Sequence, residues 1–154
     1  MFIAIRLRGC VGVPKKVEDT LNLLRLKRKY NCNIFLESES IKGMLEKVKD
    51  FITYGEIEKE VLVLLLKKRL RMKGEGNKRV REEDLKKITN FQNFEEFADA
   101  LMNGKVKLKN FKEFQPYFRL RPPSKGLKNI KEHWPKGDLG YRGKEINELL
   151  KRMI

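Results

Sequence analysis

MFIAIRLRGCVGVPKKVEDTLNLLRL, residues 1–26, carries two periodicities in succession, and their order sets the fold. Met1, Ile3, Ile5 and Leu7 alternate with Phe2, Ala4, Arg6 and Arg8, the two-residue period of a half-buried strand. The pattern changes after the loop Gly9 to Val13. Pro14 suits the first turn of a helix, Glu18 and Asp19 lie near its positive end, and Arg25, Lys27, Arg28 and Lys29 lie near its negative end. Val17, Leu21, Leu24 and, more loosely, Leu26 supply its buried stripe.

Working outward, Asn31 to Asn33 interrupts the apolar pattern, and Ile34 to Leu36 reads as a short second strand. Ser38 or Ser40 can cap a helix whose apolar residues Ile41, Met44, Leu45 and Val48 fall on one face. Phe51 to Tyr54, aromatic and β-branched, form a third strand ending at Gly55. The order is βαβαβ over residues 1–57, an α+β unit with one sheet face under two helices and the other free for a partner or a further segment.

Residues 58–154 read as an appendage. Glu58 to Met72 is helical and apolar nearly all round Val61 to Leu66, so it should be buried. Lys73 to Arg81, with Gly74 and Gly76, reads as a mobile loop, and Glu82 to Ile88 as a short helix. Asn93 can cap a helix carrying Phe94, Phe97, Ala98 and Leu101. FRLR at 118–121 predicts one further strand with Phe118 and Leu120 inward and Arg119 and Arg121 outward. Between Ser124 and Gly143 there is little periodicity and few apolar anchors. The chain closes with an amphipathic helix bearing Ile146, Leu149, Leu150 and Met153.

Charge points to the partner. The 154 residues hold 36 Lys and Arg against 21 Asp and Glu, a formal charge of +15. The excess concentrates in residues 104–154, with 14 basic against 5 acidic side chains. A surface rich in Lys and Glu for thermal stability would be closer to balanced. Compact positive charge costs self-repulsion that a polyanion relieves, so nucleic acid is the expected ligand. No apolar run approaches the roughly 18 residues of a membrane span, and Arg6 and Arg8 interrupt the start where a signal peptide stays apolar. A cytosolic protein is expected, with Cys10 and Cys32 as thiols rather than a disulfide framework.

Catalytic readings fare poorly. Gly9-Cys10-Val11-Gly12 lacks the GK[ST] ending of a P-loop and the third glycine of a dinucleotide fingerprint. Its GxxG spacing follows a strand, whereas the KH clamp joins two helices. His133 is the only histidine, so any triad depends on it. A zinc site would need Cys10, Cys32, His133 and a carboxylate without paired spacing. Glu18 and Asp19, and Glu82, Glu83 and Asp84, are explained as first-turn helix charges. No cofactor, metal or small-molecule substrate is expected. Tyr117, Trp134 and Tyr141 stand outside clear periodicity, where stacking on unpaired bases is available.

Three stretches, RLRGCVGVPKKVEDTLNLLRL at 6–26, IKGMLEKVKDFITYGEI at 41–57 and FRLRPPSKGLKNIKE at 118–132, resemble the large-subunit ribosomal proteins numbered thirty in bacteria and archaea, seven in eukaryotes. The third stretch resembles the extension of the longer archaeal and eukaryotic members. The resemblance implies a three-stranded sheet with the first strand central, related to the ferredoxin-like fold, a mainly helical extension with one further strand, and no catalysis. It implies large-subunit rRNA as ligand, with 5S rRNA and neighbouring ribosomal proteins as candidate further partners. The rRNA contacts it suggests are Arg6, Arg8, Lys15, Lys16, Arg28, Lys29, Arg119, Arg121 and Lys125. The basic terminal segment adds Lys128, Lys131, Trp134, Lys136 and Arg142. A nucleic-acid-processing enzyme, or its accessory RNA-binding subunit, is the alternative, and attachment to an anionic membrane surface ranks below both.

Overall fold

A computed structural model describes residues 1–154. Strand β1 (Phe2–Arg6) is followed by helix α1 (Lys15–Leu23), β2 (Asn31–Phe35), α2 (Glu39–Lys47) and β3 (Ile52–Glu56). Residues 58 onward give helices α3 (Lys59–Arg69), α4 (Glu82–Thr89) and α5 (Phe94–Met102), strands β4 (Phe118–Arg119) and β5 (Gly140–Tyr141), and helix α6 (Ile146–Met153). The sheet has the order β4-β2-β1-β3-β5. β1 is central and antiparallel to both neighbours, as expected, but the sheet has five strands rather than three. The extension supplies two strands, one to each edge: β4 antiparallel to β2 and β5 parallel to β3.

Local chemistry sets the element ends. Pro14 precedes α1 with φ fixed at −57°. At the other end Arg25 adopts φ 61°, and the amides of Leu26 and Arg25 bond back to the carbonyls of Leu21 and Asn22, closing the helix in a Schellman arrangement. Ser38 Oγ accepts from the Ile41 amide to start α2. β2 begins at Asn31, earlier than the apolar pattern suggests, because its polar side chains have partners. Asn33 Nδ2 donates to the Leu24 carbonyl at the end of α1, so an asparagine interrupts neither burial nor pairing.

Both faces of the sheet are covered. Phe2, Ala4, Ile52 and Tyr54 pack under Leu21 and Leu24 of α1 and Leu45 and Val48 of α2. Ile3, Ile5, Leu7 and Cys32 on the opposite face join Val61, Leu62, Leu65 and Leu66 of α3, Phe97 and Leu101 of α5, and Ile146, Leu149, Leu150 and Met153 of α6. The face left free by the first 57 residues is therefore filled by the chain's own extension, and β1 is buried on both sides. The two parts share one sheet and one of the two apolar clusters.

Two segments are more ordered than their composition suggests. Lys73 to Arg81 closes a hairpin rather than a mobile loop, with Met72 N bonded to Lys78 O and Val80 N to Leu70 O. Residues 122–143 are anchored by polar bonds where apolar residues are few. Asp138 N donates to Asn129 O, Asn129 N to Asp138 Oδ2, Trp134 N to Leu139 O, and Arg142 N to Tyr54 O. Gly55 lies inside β3, not at its end, and a side chain there would run into the Gly143 carbonyl. That close approach seats the last helix against the sheet.

Candidate nucleic-acid interface

The strand directions bring the basic loops to one end of the sheet. The C-terminal ends of β1 and β4 and the N-terminal ends of β2, β3 and β5 all lie there. The loop after β1 leads into α1, where Lys15 and Lys16 are exposed at a helix start that no side chain caps. The turn before β2 presents exposed Arg28 and Lys29, with Lys29 Nζ 5.0 Å from the centroid of the Tyr30 ring. Arg119 pairs in register with Asn31, and Leu120 N bonds to Tyr30 O, so exposed Arg119 and Arg121 lie beside that turn. Arg119 Nη2 donates to Tyr117 Oη at 3.2 Å, which stiffens both side chains. Sequence neighbours in three separate segments thus become one cationic surface.

Arg6 does not belong to that surface. It is 1% exposed, and its guanidinium donates to four main-chain carbonyls: Arg8 through Nε, Leu26 and Lys27 through Nη1, and Gly9 through Nη2. A group whose donors are spent on carbonyls inside the fold has nothing to offer a phosphate. It ties the loop after β1 to the turn after α1 and so positions the cations around it. Arg8 stays partly accessible, its guanidinium 5.0 Å from the centroid of Phe51 and bonded to the Asp50 carbonyl.

Arg142 is the second correction. At 5% exposure it forms a buried ion pair, Nη2 lying 2.8 Å from Asp138 Oδ1, and donates to the Asp138 carbonyl as well. Burial holds its pKa below the usual arginine value, opposed by the Asp138 hydrogen bond and charge. Its role is internal. It also lies 4.7 Å from the centroid of half-buried Trp134, whose ring has Lys128 Nζ at 5.3 Å. Trp134 is thus already engaged by two cations. Lys125, Lys128, Trp134, Arg142 and Arg152 line a cavity of about 360 Å³, with Glu145 and Glu148 on its α6 side. Lys131 and Lys136 are exposed on the same segment. Tyr141 is half exposed but donates its hydroxyl to Glu56 at 2.6 Å, which pushes its pKa up to about 12 together with burial.

The residues considered for catalysis are scattered. His133 Nε2 sits 2.8 Å from Asp50 Oδ1, joining the extension to the loop before β3. Cys10 is exposed and Cys32 is buried in β2, where desolvation pushes its thiol pKa up. No three His, Cys, Asp or Glu side chains converge on a common point. No helix is long and apolar enough to cross a membrane, and the apolar stripe of α6 is turned inward against the sheet.

Sequence reading missed Arg69, Arg71 and Arg79. Arg69 ends a run, Lys67-Lys68-Arg69, that is accounted for by the helix dipole, yet it is buried while the two lysines are exposed. Its spacing from Leu62, Leu65 and Leu66 places it on the apolar face of α3, and that was the available signal.

Comparison with known proteins agrees with this architecture. Residues 2–52 match the family model described as ribosomal protein L30p/L7e. A large ribosomal subunit protein uL30 from Archaeoglobus fulgidus is 48% identical over 153 residues, covering 99% of each chain. One from Nanoarchaeum equitans is 48% identical over 157 residues, covering all of this chain and 99% of its own. One from Thermoplasma volcanium is 43% identical over 155 residues, covering all of this chain and 93% of its own. With identity at this level across the β1–β3 unit and the extension alike, the chain belongs to the uL30 family of large ribosomal subunit proteins, the L30p/L7e ribosomal proteins.

Proposed function

We propose that this protein is a structural constituent of the large ribosomal subunit that binds folded rRNA and stabilises it, working in the cytoplasm without catalytic turnover. The observation that carries the reading is full-length likeness to uL30 proteins in a chain of net charge +15 whose basic loops meet at one end of the sheet. Lys15, Lys16, Arg28, Lys29, Arg119 and Arg121 hold backbone phosphates in register there, Arg adding bidentate geometry. Arg8, Lys125, Lys128, Lys131, Lys136 and Trp134 extend the contact along the loop after β1 and the segment before β5. A-form RNA hides its base edges in a deep, narrow groove, so recognition rests on the shape of the folded RNA, its 2′-hydroxyls and unstacked bases. 5S rRNA and neighbouring ribosomal proteins are the further partners of the same assembly.

The endogenous protein is expected to sediment with large subunits and to crosslink to their RNA. For about six to ten phosphate contacts, purified protein should lose roughly 10³ to 10⁵ in rRNA affinity between 50 and 200 mM salt. Sedimentation apart from ribosomes, or a flat salt response, would refute the reading. Its enzymatic rival has no assembled carboxylate site to rest on.

A further inference from the structure

Where α3 ends, four arginines face one another with no acid between them. Arg69 closes α3, Arg71 and Arg79 are cross-strand partners at the base of the 70–80 hairpin, and Arg121 follows β4. The end of α6 ties them together: Arg69 Nη2 donates to Ile154 O, and Arg121 N donates to Met153 O. None of the four takes part in a salt bridge, although the protein forms seven elsewhere. Arg71 has one side-chain bond, to the Asn77 carbonyl. Arg69 is 6% exposed, and its Nε has no hydrogen-bond partner.

Such an arrangement opposes folding. Like charges directly opposite on paired strands destabilise the pair, and a buried guanidinium with an idle N–H has lost water without compensation. Burial first, and then the charges of Arg121, Arg71 and Arg79, depress the pKa of Arg69; burial, Arg79 and Arg121 do the same to Arg71. One phosphate would satisfy one or two guanidinium groups. Four gathered on a hairpin, a helix end and a strand end match phosphates that are themselves crowded, as where an RNA backbone turns sharply or two strands pack side by side. There the phosphates' repulsion and the arginines' repulsion cancel together.

We propose that Arg71, Arg79 and Arg121, with Arg69 as the floor, form a site for two or more closely spaced phosphates of the rRNA backbone. This rests on the proposed rRNA-binding function and adds a site to it.

The test uses the full chain and deproteinised large-subunit rRNA. Wild-type protein, the double variant Arg71→Gln/Arg79→Gln and the single variant Arg121→Gln are titrated across salt concentrations, and the thermal midpoint of each free protein is recorded. For two phosphates released, the slope of log K against log salt should become shallower by about 1.8 in the double variant, and by about 0.9 in Arg121→Gln. The midpoint of the free double variant should be unchanged or higher, because repulsion is relieved. If the double variant fails to fold, Arg121→Gln decides alone, since its main chain keeps the bond to Met153. Wild-type binding with unaltered affinity and slope in the folded variants would overturn the site while leaving the rRNA-binding reading intact. Absence of wild-type binding would remove both. Unchanged rRNA binding with loss of incorporation into reconstituted subunits would overturn it in favour of an acidic protein neighbour.

Discussion

Arg6 Nη1 donates to the carbonyl of Leu26 at 2.9 Å, joining the end of the central strand to the turn that closes α1. The same guanidinium reaches the carbonyls of Lys27, Arg8 and Gly9, so one buried side chain organises two loops of the basic end. Replacing Arg6 by Ala leaves those carbonyls short of partners and is expected to cost roughly 3 kcal/mol of stability in equilibrium urea unfolding. Arg6→Lys should recover little, because an ammonium cannot reproduce the planar fork. Near-wild-type stability in Arg6→Ala would show that water replaces these bonds without cost.

Lys15 and Lys16 separate binding from folding. Both are exposed at the start of α1, so the double alanine variant should stay within about 0.5 kcal/mol of wild-type stability while its rRNA affinity falls. Leu24, 1% exposed under the same sheet face, should behave in the opposite way. Leu24→Ala is expected to cost roughly 2–5 kcal/mol, with little change in the affinity of the folded fraction. Unfolding curves and RNA titrations on both variants make the comparison.

Asp138 is the only acidic partner of buried Arg142, and it also accepts the Asn129 amide. Asp138→Ala should destabilise by roughly 3–5 kcal/mol, because it leaves an uncompensated guanidinium inside the fold. Deleting 122–143 is expected to be worse still. It removes β5, the bond from Thr53 Oγ1 to Gly140 O, and the seat of α6. Circular dichroism and calorimetry on the point variant check the first statement. A melting temperature equal to wild type would contradict it.

Alkaline pH should weaken the fold through Tyr54. Burial, then the Glu46 charge and hydrogen bond, push its hydroxyl from 10.0 up to about 12. The folded state therefore holds the phenol proton more tightly than the unfolded state does. The resulting stability is fully present below about pH 10 and is lost as pH rises towards about 12, a change on the order of 2 kcal/mol. Tyr54→Phe cannot ionise, so its stability should fall less steeply over that window. Parallel urea titrations at pH 9, 10 and 11 would expose equal slopes if Tyr54 were not responsible.

The sequence by itself determined the βαβαβ order, the central position of β1 and the cationic character of the partner. These follow from local periods of two and 3.6 residues, from a proline at a helix start, and from a charge excess that no pairing within the chain could cancel. Only the tertiary structure decided which cations remain available. Arg6 reads as the outward partner of Ile5 when a strand is assumed half-buried, and becomes interior once α1 and α2 cover that face. Arg142 stands in a glycine-rich basic stretch, and its pairing with Asp138 depends on β5 joining the edge of β3. Both edge strands are two residues long, too short for any periodicity to announce them. Arg69, Arg71, Arg79 and Arg121 lie in three segments whose meeting depends on where α3 and α6 end. Charge is additive along a chain and can be counted. Whether a charge faces solvent, a carbonyl or another charge depends on contacts between residues far apart in sequence, and those exist only when the sheet is assembled.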